Sequence, residues 1–179
     1  MPQVQIRPIV SSDFPALMQI DHQNKSEYVW QMDRGIEETQ VTVNFREIRL
    51  PRSIHIDYPH VPDWTGEKWL NQSGLLAALL KDNLVGYIRI DDHYVPQTAW
   101  VRDLAVAVPS RRQGIASVLL IAAQEWAAQR GLRRLALEMQ SKNYPAIRMA
   151  FKLGFDFSGY NDRYYSNQDI ALFFNRAVK

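Results

Sequence analysis

The sequence has no cysteine in 179 residues. That absence excludes disulfide staples, thiolate nucleophiles and zinc–thiolate centres together. An excess of charge is missing too: 21 Lys and Arg stand against 19 Asp and Glu, a formal net charge of +2. So small a surplus argues against a nucleic-acid partner or a membrane surface. The arginines pair at Arg111–Arg112 and Arg133–Arg134 without forming a basic block. No apolar run approaches the roughly 20 residues of a membrane span, and the start, with Pro2 and Arg7, is not that of a signal peptide. His22, His55, His60 and His93 are scattered with no ligand spacing, so no metal site is expected. Glycine-rich nucleotide signatures are also absent: no Gly-Lys-Ser/Thr and no three spaced glycines. A cytoplasmic protein is the expectation.

What is present suits one domain over residues 1–179. Hydrophobic residues make up 46% and charged residues 22%, ordinary globular values that allow a sizeable core. Val4 to Ile6 alternates and is ended by Pro8, an edge strand. Ser11-Ser-Asp13 offers helix caps, and Phe14, Leu17, Met18 and Ile20 recur at helical spacing, which predicts a helix to about Asp21. Lys25 to Arg34 reads as a helix or an extended arm. Thr39 to Leu50 alternates as a half-buried strand, Pro51 interrupts it, and Ser53 to Ile56 pairs back. Asp57 to Gly66 is a loop, with Pro59 and Pro62 in it.

The second half is more regular. Gly74–Leu80, a turn at Lys81-Asp-Asn83, and Leu84–Ile90 form a hairpin. Asp91 to Gln97 reads as a polar loop before a strand from Trp100 to Val108. A helix from Ile115 to about Gln129 is ended by Gly131. Leu135–Met139 is a buried strand, and Pro145 opens a short helix that Gly154 stops. Phe155–Tyr160 and Ile170–Phe174 are the final strands, joined by a polar, aromatic loop.

The stretch from Val101 to Leu120 carries the chemistry: an apolar strand, a turn at Pro109, and a basic loop running into a helix. A helix start offers unpaired N–H groups and the positive end of a dipole, so it holds phosphate. Gly114 there permits close approach of another group to the backbone. Arg111-Arg-Gln-Gly-Ile-Ala116 is followed by the strand Leu135–Met139, then Asn143-x-x-Ala146-Ile147-x-Met149 and Gly154-Phe155. With these motifs in this order, the sequence resembles the GNAT superfamily of N-acetyltransferases over roughly Gly74 to Phe174. Its opening (Ile6-Arg-Pro, Asp13, Leu17, Asp21) is similar as well. The middle stretch Ser26-Glu-Tyr-Val-Trp30, Phe45-Arg-Glu47 and Tyr58, with Leu137-Glu-Met-Gln140, is similar to streptothricin acetyltransferases.

That resemblance implies an α+β (mixed α/β) fold: a mostly antiparallel mixed sheet, flanked by helices and splayed between two parallel strands, with acetyl-CoA (coenzyme A) in the gap. Carried over, Val106, Ala107 and Val108 offer backbone groups to the pantetheine arm. Arg111, Arg112, Gln113, Gly114, Ile115, Ala116 and Ser117 cradle the pyrophosphate by main-chain N–H groups, and Asn143 contacts the cofactor from the other side. The implied activity is transfer of acetyl from acetyl-CoA to a primary amine of a small molecule or protein by direct attack, with a backbone N–H near Val106 stabilising charge on the acyl oxygen. Many relatives are dimers, so a homodimer is a candidate assembly. A tyrosine seven residues after the asparagine is common in the family, and here that position is Ala150. The departure leaves two alternatives open, a non-catalytic acyl-CoA-binding regulator and an acyltransferase using a longer acyl-CoA.

Proton transfer then needs other residues. A lysine-like amine with pKa about 10.4 costs about 4–5 kcal/mol to deprotonate at pH 7, whereas a thiol near pKa about 8.5 leaves with little help. Asp103 and Glu138 are the candidate bases, because each is an acid on a strand that otherwise reads as buried. Tyr144, Tyr164 and Tyr165 are alternative acids. The acceptor pocket is expected between the first helix, the 57–66 loop and the 161–169 loop. Glu27, Asp162 and Asp169 are candidates to meet a cationic amine, and Trp64, Tyr160 and Tyr164 to stack on it.

Overall fold

The computed structural model describes residues 3–60 and 74–178. Strand β1 (Val4–Pro8) leads into a 3-10 turn at Ser11–Asp13 and a single α turn, α1 (Phe14–Leu17). The expected helix to Asp21 is therefore shorter. The chain continues as tightened i→i+3 turns, Gln19 N–H to Ala16 C=O and Ile20 N–H to Leu17 C=O, which still bury Leu17 and Ile20. Asp13 fastens this corner: its carboxylate accepts from Arg7 Nη1 and Nη2 at 2.7 and 2.8 Å and from the Val10 N–H.

Lys25 to Arg34 is an extended arm rather than a helix. It lies in β2 (Asn24–Ile36), which pairs with β3 (Val41–Ile56) as a separate two-stranded ribbon. Pro51 does not end β3. Tyr28 pairs with Arg49 and Ser26 with Ile54, so residues 50–53 bulge opposite Glu27. A proline, which has no N–H to give a ladder, is tolerated at such a bulge. Ser53–Ile56 does pair back, onto the start of β2.

The main sheet contains β1, β4 (Gly74–Leu80), β5 (Asn83–Val95), β6 (Thr98–Val106), β7 (Arg134–Gln140), β8 (Asp156–Asn161) and β9 (Ala171–Ala177). Their order is β1-β4-β5-β6-β7-β9-β8. All neighbours are antiparallel except β6 and β7. The β4–β5 hairpin turns at Lys81 and Asp82, both with positive φ, the backbone a tight hairpin demands. The loop expected over residues 91–97 shrinks to Pro96–Gln97, because β5 continues to Val95.

Helices α2 (Ile115–Gln129) and α3 (Tyr144–Lys152) cover one face of this sheet. Leu119, Leu120 and Ala123 of α2 and Ile147 and Ala150 of α3 bury against Ile88, Ile90, Leu135, Leu137, Leu172 and Phe174. Each large side chain buried this way contributes about 1.5–3 kcal/mol. The other face carries a smaller cluster of Ile9, Leu17, Ile20, Tyr87 and Ala105. No helix among the described residues is long and apolar enough to cross a membrane.

Candidate active site

The site begins where the sheet comes apart. β6 and β7 pair only from Thr98–Val101 against Arg134–Leu137. Both strands then continue, to Val106 and Gln140, without pairing to each other. A cause lies on the other edge of β6: Arg89 pairs with Asp103 but Ile90 with Val101, leaving Arg102 as an extra residue. Such a bulge bends its strand and steepens the local twist. The resulting cleft is about 970 Å³ and takes its walls from β6, β7, the start of α2 and one side of α3.

One end of the cleft is the loop before α2. Arg112 and Gly114 both have positive φ, 63° and 84°, and Gly114 is the N-cap. Ile115, 1% exposed, anchors the helix start in the core. Among the described residues, the main-chain N–H groups of residues 112–117 have no acceptor within the chain. Six unpaired donors at the positive end of a fifteen-residue helix fit a diphosphate. The charge of the lining fits it too: among the described residues, Lys25, Arg102, Arg111, Arg112, Arg148 and Lys152 line it against Asp103 and Glu138.

Of the residues expected to hold the cofactor, Val106, Arg111, Arg112, Gly114, Ile115, Ala116, Ser117 and Asn143 line the cleft. Ala107, Val108 and Gln113 do not, and their polar groups point to local duties. Ala107 N–H donates to Val85 C=O, its carbonyl accepts from Ser110, and Gln113 Nε2 donates to Pro109 C=O. The Val106 carbonyl accepts from Arg111 Nε at 2.8 Å. In a strand the N–H and C=O of one residue point to the same side, so the Val106 N–H shares that edge. Asn143 caps α3, its Oδ1 accepting from the Ala146 N–H at 3.3 Å.

The two candidate bases differ sharply in surroundings. Asp103 is 1% exposed. Its Oδ2 accepts from Arg89 Nε at 2.5 Å, and its Oδ1 accepts from the Tyr58 hydroxyl at 3.0 Å. The Tyr58 oxygen in turn accepts from the Leu104 N–H at 3.3 Å, on the edge of β6 that faces the gap. Burial, and then the Asp103 charge, push the Tyr58 phenol well above its ordinary pKa. Glu138 faces the cleft from β7. It accepts from the Tyr164 hydroxyl at 3.2 Å, and its other oxygen lies 3.7 Å from His60 Nε2. Burial and the Glu138 charge also raise the phenols of Tyr164 and Tyr165, so both stay protonated.

The remaining candidates separate from this group. Glu27 is exposed on β2, Tyr160 packs edge-on against Phe45 at 5.3 Å, and neither they nor Asp162 line the cleft. Asp169 is held by Lys142, Gln140 and Asn167. Tyr144 stacks on Tyr28 at 4.9 Å, and Trp64 lies outside the described residues. Ala150, where the family often has tyrosine, is fully buried in the core.

Sequence reasoning missed His22, Tyr58, Arg89 and His60. His22 Nε2 lies 2.9 Å from the Tyr87 hydroxyl, and its ring is 5.0 Å from that of Tyr58. Burial holds this imidazole below its ordinary pKa. A signal for Arg89 was present: a cation in the apolar run Leu84–Ile90 requires a buried partner. His22 carried no such mark, and Tyr58, though part of the family resemblance, carried nothing that placed it beside Asp103, since only the fold brings them together.

The acetyltransferase (GNAT) family model matches residues 42–155. Streptothricin acetyltransferase A of Bacillus subtilis (strain 168) is 32% identical over 111 residues, 59% of this chain and 64% of that protein. The chain spans about half to two thirds of the length of the curated relatives it matches. A crystal structure of nourseothricin acetyltransferase shares the fold at a TM-score of 0.81, with 23% identity and coverage of 98% of this chain and 99% of that one. A Bacillus anthracis structure in complex with acetyl coenzyme A shares it at a TM-score of 0.78, with 18% identity and coverage of 99% and 98%.

Proposed function

The chain belongs to the GNAT acetyltransferase family, and on that premise we propose that it acetylates a primary amine using acetyl-CoA. The observation that carries this reading is the run of six unpaired N–H groups over residues 112–117 at the mouth of a basic, strand-splayed cleft. For the acceptor we propose a small molecule of the streptothricin class, supported by the curated relatives of that name. The work place we propose is the cytoplasm.

Bound acetyl-CoA would supply an acetyl group activated as a thioester. The chain's part begins with holding it. The N–H groups of residues 112–117 would bind the diphosphate, with Arg112, Arg148 and Lys152 adding charge around it. The Val106 N–H, on the open edge of β6, would face the acyl oxygen as charge grows there. Asn143, capping α3, keeps Nδ2 for the opposite side of the cleft.

Glu138 is the group we assign to take the amine proton. Unlike Asp103, it has no arginine partner among the described residues: it accepts from the neutral Tyr164 phenol, and His60 Nε2 lies 3.7 Å from its other oxygen. Asp103 is assigned the holding of Tyr58 and Arg89 against β6. The core position of Ala150 leaves departure of the thiol without an acid from α3, which a thiol of pKa about 8.5 tolerates. Release of free thiol from acetyl-CoA in the presence of streptothricin tests the reading. Glu138→Gln is expected to lower kcat at least about 100-fold, the usual range for a general base, with acetyl-CoA affinity kept. Turnover by wild type on no amine at all would overturn it.

A further inference from the structure

The Arg111 side chain turns away from the phosphate loop that contains it. Its Nε donates to the Val106 carbonyl at 2.8 Å, Nη1 to the Gln23 carbonyl at 2.6 Å, and Nη2 to the Asp21 carbonyl at 2.5 Å. Val106 ends β6, while Asp21 and Gln23 belong to the linker between α1 and β2. One planar guanidinium therefore joins the cofactor strand, the phosphate loop and a segment 88 and 90 residues away in sequence.

The residue between the two clamped carbonyls is His22. Its ring lines the cleft, meets the Tyr87 hydroxyl at 2.9 Å and packs on Tyr58 at 5.0 Å. Tyr58 in turn bonds Asp103 and the Leu104 N–H of β6. A continuous set of contacts thus runs from the phosphate loop through Arg111 to the wall opposite Glu138. No carboxylate side chain hydrogen-bonds Arg111 among the described residues: its donors go to three main-chain carbonyls, with the Asp21 carboxylate near enough to favour its charge. That arrangement depends on a flat fork with separated donors, which lysine cannot reproduce.

We propose that Arg111 is a positioning residue that ties the phosphate loop to the His22–Tyr58 wall, so that occupation of the cofactor site sets the geometry of the acceptor site. The inference rests on the acetyltransferase reading and deepens it. It makes Arg111 and Arg112 opposites: Arg112, exposed and with its backbone in the left-handed region, serves the phosphate, and Arg111 serves the acceptor.

The test has two arms. In the first, acetyl-CoA is titrated into the 179-residue chain while the His22 imidazole is followed by NMR, its signal assigned with His22→Gln. Wild type is expected to show a shift that saturates with cofactor binding. Arg111→Lys is expected to bind acetyl-CoA within about 3-fold of wild type by calorimetry and to show no His22 shift. An unchanged His22 response in Arg111→Lys, or a response absent from wild type, would overturn the coupling.

In the second arm, steady-state kinetics use streptothricin as the acceptor probe. Arg111→Lys should raise the acceptor KM about 10-fold or more and leave the acetyl-CoA KM within about 3-fold. Arg112→Asn, which tolerates a positive φ, should do the reverse. Combining Arg111→Lys with His22→Ala should be no worse than the more impaired single variant. Additive effects would refute action through His22. Loss of acetyl-CoA binding by wild type would instead refute the acetyltransferase reading itself, and the two failures are distinct.

Discussion

Replacing Asp103 by asparagine separates a structural carboxylate from a catalytic one. The side chain is 0% exposed and its Oδ2 lies 2.5 Å from Arg89 Nε, itself on a side chain only 16% exposed. Asparagine retains an oxygen for the Tyr58 hydroxyl but removes the charge that faces the guanidinium. Breaking a buried ion pair by removing one partner costs about 3–5 kcal/mol. Arg89 has some solvent access and the second hydrogen bond survives, which places the expected loss near the lower limit, about 3 kcal/mol. For a chain of this size each kcal/mol lowers Tm by about 2–4 °C, so the variant should melt about 6–12 °C below wild type. Scanning calorimetry and urea unfolding measure this directly. The same variant, assayed below its melting range, should keep the rising limb of its pH–rate profile, while Glu138→Gln should lose it. A variant with unchanged Tm and a flat profile would refute the assignment and return Asp103 to the role of base.

Two further outcomes follow from the same geometry. Gly114→Glu places a carboxylate among the unpaired N–H groups, at a φ of 84° that L side chains rarely adopt. It should abolish acetyl-CoA binding by calorimetry while the circular dichroism spectrum stays native, since a Cβ there meets nothing within 4 Å. Normal binding would mean the phosphate cradle lies elsewhere. The second outcome concerns pH. Burial lowers the folded-state pKa of His22 below 6.5, so the unfolded chain takes up the proton first as pH falls. The stability linked to His22 is therefore complete above about pH 6.5 and declines as pH drops through its folded value. Urea midpoints should fall over that window in wild type and fall less steeply in His22→Gln; parallel curves would contradict the burial of this ring.

Much of the architecture was legible because local signals and the fold agree. The strands from Gly74 onward, the start of α2 after Gly114 and the Pro145 opening of α3 each carry their own turn or cap chemistry. Where the reading failed, a distant contact decided. Phe14 to Ile20 has helical spacing, but one turn and a few tightened turns are enough to bury Leu17 and Ile20. Pro51 marks a strand end by local rules, yet it falls in a bulge of a two-stranded ribbon. The phosphate cradle was readable because it is a contiguous segment. The Asp103 surroundings were not, since Arg89, Tyr58 and His22 come from three separate segments, β5, the residues after β3 and the α1–β2 linker, that meet only when they are assembled around β6. Ala150 shows both sides of this. The sequence revealed the missing phenol, and the structure added that the position faces the core rather than the cleft.

The central claim is that the gap between β6 and β7 is an acyl-CoA site with its phosphate end at residues 112–117. Isothermal titration of the full chain with acetyl-CoA tests it most directly. The expected result is saturable, one-to-one binding that excess coenzyme A competes away and that weakens as salt is raised, as a basic phosphate cradle requires. No heat of binding at millimolar acetyl-CoA would contradict it.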